Sequence, residues 1–236
     1  MYRKYHAHQL AWFRSKLESS PKIYIGKDRV YVIKGGKRSR YRRLSKNGKY
    51  WSLAADVRLE DEKAYRELEA EWRKSYKDEP PEIPIPVKSG NRMDSAFFDR
   101  QKACCNKVPI LHPTEYKGVI YRSKNEQMTA MVLDAMGLEF KYETQVDLGG
   151  GMVFHPDFLV NARAIDRCFY LEVFGDPDNK GYADTARFKI SNYNRIGVFE
   201  WDELLPVYAP TSHSFDSVKL RILVELMLES LSPGIE

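Results

Sequence analysis

Apolar residues recur at helical spacing over "YHAHQLAWFRSKLESS" (5–20) until Ser-Ser-Pro stops the run. The pattern then shortens to a period of two. "KIYIGKDRVYVIKGGKRSRYRRL" (22–44) holds three strand-like runs divided by Gly-Lys-Asp and Gly-Gly, which predicts a three-stranded meander. "NGKYWSLAADVRLEDEKAYRELEAEWRKSY" (47–76) returns to helical spacing with heavy charge and predicts one long helix. Four prolines in "KDEPPEIPIPVKSG" (77–90) favour an extended connector over any packed element. Beyond it the pattern predicts a helix at 122–137, strands at 140–147, 152–160 and 168–174, a helix at 180–196, a short strand-like stretch and a last helix at 215–230. The resulting division is a small module over 1–78, a linker over 79–91 and a larger domain over 92–236.

With 236 residues, 43% of them hydrophobic, the chain can bury a substantial core. No stretch approaches the roughly 18 apolar residues of a membrane span and the start has no secretory character, so the expectation is a cytoplasmic protein without membrane attachment. Cys104, Cys105 and Cys168 have neither C-x-x-C nor zinc-finger spacing and read as free thiols. The net charge of +5 conceals a strong segregation. Residues 1–50 carry 15 Lys and Arg against two acids, leaving the rest of the chain at −8. Within that basic segment Lys37, Arg38, Arg40, Arg42 and Arg43, interleaved with Tyr41, form a dense cationic run suited to phosphate contacts.

The acidic part holds the candidate chemistry. "FKYETQVDLGGGMVFHPDFLV" (140–160) places three glycines between two β-rich runs, as a hairpin would, and "CFYLEVFG" (168–175) follows as a third strand. Alternation puts Cys168, Tyr170, Glu172 and Phe174 on one face of that strand. A carboxylate in such surroundings is costly to desolvate without a compensating cation or donor, and Asp157 poses the same problem. If the strands are neighbours, the two carboxylates converge on one point, an arrangement that suits Mg²⁺ or Mn²⁺. At 100° per residue the helix "GYADTARFKISNYNRIG" gathers Tyr182, Ala186, Ile190 and Tyr193 on one side, and Lys189 falls among them. Either the lysine snorkels, or it is a cation held over the carboxylates. Glu126 lies in the first turn of its helix, where Ser123 and Glu126 match a capping box, and it shares a face with Ala130 and Leu133. Glu143 reads as a peripheral, solvated strand glutamate and His155 as a neighbour of the Asp157 turn.

These residues in this order resemble the PD-(D/E)XK nuclease superfamily over roughly 115–210. Pro156-Asp157 stands as the PD element and Glu172 as the acidic position. The string "EVFGDPDNKGYADTARFKISNYNRIGV" is similar to a subgroup with E-x-x-G, an Asp-Pro followed by a tyrosine, and K-I-x-x-Y-x-x-x-G. The motif lysine should lie two residues after Glu172, where this chain has Phe174; Lys189 is the matching candidate, as in members that carry the lysine on the following helix. The resemblance implies an α+β or α/β fold, a restriction-endonuclease-like mixed sheet flanked by helices, with the β-meander module in front. It implies a metal-dependent DNA endonuclease with Glu126, Asp157, Glu172 and Lys189 catalytic, and Asp157, Glu172 and Glu126 holding Mg²⁺ or Mn²⁺. DNA is the expected partner, and a homodimer through the apolar positions of the last helix is compatible with it. The alternatives are a nucleic-acid-binding protein on a core that no longer cuts, supported by Phe174, and an RNA-directed nuclease.

Overall fold

The computed structural model describes residues 2–20, 22–25, 29–34, 37–42, 46–85, 87–175, 180–209 and 215–235; the side chains of 24–25, 29–30, 34, 38–42 and 46–56 are not among those described. The chain forms two compact units, built mainly from Arg3–Val87 and Lys88–Pro233. The first contains α1 (Arg3–Ser19), β1 (Lys22–Ile25), β2 (Arg29–Lys34), β3 (Lys37–Arg42) and α2 (Lys46–Tyr76). β1, β2 and β3 make an antiparallel meander, with Ile23 opposite Val32 and Val32 opposite Ser39. α1 packs on α2 through Ala7, Leu10 and Trp72, and the Trp72 indole donates to the Asp78 carbonyl at 2.8 Å. That bond satisfies the one polar atom of a fully buried ring.

The second unit is a mixed α+β assembly. It runs α3 (Ser95–Arg100), β4 (Thr114–Tyr116), β5 (Val119–Tyr121), α4 (Lys124–Ala135), β6 (Glu139–Tyr142), β7 (Val146–Asp147), β8 (Val153–Phe154), β9 (Phe158–Ala162), a 3-10 turn (Arg163–Ile165), β10 (Arg167–Phe174), α5 (Lys180–Arg195), β11 (Leu204–Tyr208) and α6 (Ser217–Leu231). The central sheet has the order β11-β10-β9-β6, parallel between β10 and β11 and antiparallel elsewhere. α5 provides the crossover that a parallel pair requires. Both faces of the inner strands are buried, so β9 and β10 read as nearly continuous apolar sequence. Leu159, Cys168, Tyr170 and Leu204 pack with Tyr193, Val198 and Phe98, while Phe158 meets Tyr121, Phe140 and Tyr142.

Side-chain acceptors start three helices. Asp94 takes the Phe97 N–H at 2.6 Å, Ser123 takes the Glu126 N–H at 3.2 Å, and Asp216 takes the N–H groups of Val218 and Lys219. Asp166, left-handed at φ 53°, closes the turn between β9 and β10 and accepts from Ser89 and Ser95 N–H. The three cysteines are free thiols. No helix among the described residues is long and apolar enough to cross a membrane.

The structure departs from the predicted strands over 140–160. Each of the runs 140–147 and 152–160 is cut in two: β6 pairs with β9, and the short β7 and β8 pair separately as a hairpin arm turned by Gly149, Gly150 and Gly151, all at positive φ. The first cut falls at Glu143, whose φ of 46° ends β6. The second falls at His155-Pro156-Asp157, between β8 and β9. α3 and the β4–β5 hairpin, three residues per strand, were too short for a periodicity to reveal.

Candidate active site

Asp157 sits one residue before β9, where the antiparallel ladder with β10 stops at the pair Phe158–Leu171. Its backbone carbonyl accepts from Glu143 N–H at 3.1 Å, and its carboxylate Oδ2 accepts from Val173 N–H at 2.7 Å. The side chain thus takes the donor that the ended strand no longer reaches, and it is fixed beside the residue that follows Glu172. This explains locally why a carboxylate opens a buried strand.

Glu172, in the middle of β10, is fully buried. Both of its oxygens are engaged from α5: Lys189 Nζ lies 2.8 Å from Oε2, and Tyr193 OH donates to Oε1 at 2.7 Å. Lys189 and Tyr193 are four residues apart, one helical turn, so they present to the same strand position. The Lys189 ammonium also lies 5.8 Å from the centre of the Phe174 ring, which occupies the position two after Glu172. The Lys189 ammonium thus reaches Glu172 from α5, while Phe174 occupies the strand position two residues after it.

Glu126 lies within the electrostatic reach of this group, since its charge is felt by both Asp157 and Lys189. Its own oxygens are engaged by Tyr142 OH, Ser123 OH and Arg122 N–H. The helix cap and the approach to the site are combined in one side chain. Ala130 and Leu133, on the same face, are completely buried, as their size and spacing require for α4 to seat closely.

Negative charge is concentrated around Asp157 and Glu172. Burial first, and then the negative fields of Glu172 and Glu126, push the Asp157 carboxyl well above its ordinary range, against the opposing pull of Lys189 and the Val173 N–H. Burial disfavours the Lys189 ammonium, but Glu172, Asp157 and Glu126 together outweigh it and hold the lysine above its usual value. Tyr193 is raised by burial and by its carboxylate partner, so it remains a donor. Asp157, Glu172 and Glu126 gather negative charge around Lys189, and a site of this sign favours a further positive charge.

Among the described residues no group of three or more His, Cys, Asp and Glu side chains comes together in metal-binding geometry. Glu126 gives its oxygens to Tyr142, Ser123 and the Arg122 N–H, as Glu172 gives its own to Lys189 and Tyr193. Asp157, just before β9, and Glu172, on β10, are two hard oxygen donors, and Mg²⁺ commonly uses one or two carboxylates and keeps several waters. The donor chemistry of Asp157 and Glu172 is of the kind such an ion takes.

Glu143 is not the solvated glutamate its strand position suggests. It is buried, paired with Arg122 and bonded by Asn106 Nδ2 at 2.7 Å. Arg122 in turn donates to the carbonyls of Val108 and Pro109, so this pair pins the 104–109 segment against the end of β6. Tyr193, Tyr142 and Arg122 are the polar partners that periodicity did not single out; the i, i+4 spacing of Lys189 and Tyr193 was the available signal for the first. His155 is half-buried.

In the first unit, Lys37 is exposed, Arg43 lies outside the described residues, and so do the side chains of Arg38, Arg40 and Arg42. The backbone register places Arg38 opposite Ile33, Arg40 opposite Tyr31 and Arg42 opposite Arg29. These are the alternate positions to Ser39, which pairs with the buried Val32. Asp176 and Pro177 of the motif string also lie outside the described residues. Comparison of the chain with family models, with curated proteins and with solved structures finds no match.

Proposed function

We propose that this protein is a metal-dependent DNA endonuclease of the restriction-endonuclease-like type, hydrolysing phosphodiester bonds at Asp157, Glu172 and Lys189. The observation that carries the reading is the Lys189 ammonium brought from α5 to 2.8 Å from a buried strand carboxylate, with Asp157 held on the next residue's N–H. A lysine in a helix's apolar face is otherwise expected to escape to water.

Asp157 and Glu172 would hold a divalent ion, with Mg²⁺ or Mn²⁺ favoured by the all-oxygen donors. When bound, the ion supplies Lewis-acid stabilisation of the phosphoryl oxygens. The chain's own groups do the remainder. Tyr193 fixes one oxygen of Glu172 and so sets the orientation of the carboxylate. Lys189, kept protonated by its neighbours, offers N–H donors to an attacking water and to the charge that develops on phosphate. Asp157, anchored at both its backbone and its side chain, cannot swing away from the strand end. Glu126 acts on the site through its field and through the placement of α4, which makes it a positioning residue. The basic positions of the first unit would supply sequence-independent phosphate contacts.

The test is cleavage of supercoiled plasmid by purified protein with Mg²⁺ or Mn²⁺, comparing wild type with Asp157→Ala and Lys189→Ala. Nicking or linearisation lost in both variants supports the assignment, and cleavage lost only in Asp157→Ala removes Lys189 from the mechanism. A second reading draws on the complete engagement of Glu172, which makes Lys189–Glu172 a structural ion pair in a nucleic-acid-binding protein that does not cut. Retained binding without cleavage of plasmid, single-stranded or branched DNA by the wild type would select it.

A further inference from the structure

α6 is apolar on two sides, and the core uses one of them. Leu220, Val224, Met227 and Leu228 are buried, and the helix packs on α4 and β11. At about 100° per residue, Val218, Ile222 and Leu226 fall within about 80° of one another on the opposite side. They are 66%, 48% and 41% exposed. Isolated exposed aliphatics are ordinary, but three in line over two turns form a stripe, and a helix that is apolar on both sides is one that is covered on both.

The charges beside the stripe define what covers it. Lys219 and Arg221 stand in the first half of the helix, Glu225 and Glu229 in the second. Arg221 and Glu225 share one edge of the stripe, where they pair within the helix at 2.9 Å. Lys219 lies on the other edge, and Glu229 continues the line beyond Leu226. Two carboxylates at this face oppose a polyanion or an anionic lipid surface. The complementary surface is an aliphatic helix stripe whose charges run in the reverse order, and a second α6 laid antiparallel has that order.

With Ile222 on the two-fold axis, Val218 lies level with the second copy's Leu226. The Arg221 and Glu225 edges then face each other in reverse, so Arg221 comes within about 3 Å, measured along the axis, of the level of the second copy's Glu225. The intrahelical pair extends into a four-charge network across the axis, the two helix dipoles oppose, and one patch serves both copies. A parallel pair would set the acidic halves side by side.

We propose that the Val218–Ile222–Leu226 stripe is the interface of a symmetric homodimer in which two α6 helices pack antiparallel. The inference does not rest on the nuclease reading, and its test needs neither DNA nor metal. A stripe of three aliphatic positions belongs to the small end of specific interfaces, so the dimer Kd is expected on the order of 10 µM. Sedimentation velocity of the full chain, from about tenfold below to tenfold above that value, should show wild type passing from monomer to dimer. Ile222→Asp, on the axis, enters the interface twice and should raise Kd by about 30-fold or more. Arg221→Glu and Glu225→Arg each set like charges across the axis and should raise it by about 2- to 10-fold. Mixing these two variants in equal amounts should restore association as a heterodimer, because one edge is then acidic and the other basic.

A wild type that stays monomeric throughout, or a dimer that survives Ile222→Asp, overturns the proposal. So does an Arg221→Glu variant that associates as well as wild type, because a parallel pair brings the Arg221 edge against the Lys219 edge and gains from an added acid. Flotation of a monomeric wild type, but not of Ile222→Asp, with phosphatidylglycerol vesicles would assign the stripe to lipid and overturn it equally. Circular dichroism melts of the variants show that the losses come from folded protein.

Discussion

At the scale of single residues, the site concentrates negative charge that the fold must tolerate. Asp157 is pushed toward its protonated form by burial and by Glu172 and Glu126, so its ionised form opposes folding in the absence of a counter-ion. Asn at this position keeps an oxygen for the Val173 N–H and removes the charge. Asp157→Asn is therefore expected to be more stable than wild type in EDTA by about 1 kcal/mol, the usual gain when a functional charge is relieved. If Asp157 and Glu172 hold a divalent ion, Mg²⁺ at a hundredfold excess over its Kd should stabilise the wild type by about 2.7 kcal/mol and leave Asp157→Asn unmoved. Thermal melts of both proteins with and without Mg²⁺ check this, and a wild type indifferent to the ion would sink the two-carboxylate site. The same residues show what a sequence can carry. Glu172 and Lys189 were legible because each is a charge placed where periodicity demands an apolar residue. Glu143 was misread because its burial comes from a break in β6 and from Arg122 and Asn106, distant in sequence, which no local pattern encodes.

Among the elements, α1 and α2 meet at a buried histidine. His6 Nε2 lies 2.9 Å from the Leu68 carbonyl and the ring stands edge-on to Trp72. Burial lowers its pKa from the ordinary 6.5, against the opposing effects of that carbonyl and Glu71. A histidine depressed in the folded state takes its proton first when unfolded. The stability it contributes is present above pH 6.5 and declines as pH falls from there through the folded value, by about 1.4 kcal/mol for each unit of depression. Amide hydrogen exchange in α1, corrected for the intrinsic effect of pH, should accelerate between pH 7 and 5 in wild type. His6→Gln, which can still donate to Leu68, should lack that acceleration; equal behaviour of the two proteins would show that His6 does not titrate with folding. The longer helices and the meander were legible because they are long enough for periodicity, and the starts of α4 and α6 are marked by Ser123 and Asp216. The division of 140–160 into two sheets was not legible, because a strand's alternation does not reveal which partner each half takes.

For the whole molecule, the separation of charge along the chain is the organising fact. The first 50 residues are strongly basic while the remainder, which includes every residue of the candidate site, is net acidic at −8. On the nuclease reading a net-acidic remainder gives a polyanion no long-range attraction, so the basic segment that contains the meander would supply it. Affinity and chemistry should then be separable by mutation. Replacing Arg38, Arg40 and Arg42 together by alanine is expected to weaken DNA binding and to reduce the slope of log Kobs against log salt by up to about 2.7 on duplex, roughly 0.9 for each phosphate no longer neutralised. Turnover at saturating DNA should change little, since none of the three belongs to the candidate site. Lys189→Met should do the reverse, removing turnover with little change in the salt slope. Fluorescence-anisotropy titrations over a range of salt, paired with cleavage under saturation, decide the matter. A triple variant with an unchanged slope would place the phosphate-binding positions outside the meander, and a loss of turnover that excess DNA cannot restore would mean that the basic segment does more than bind.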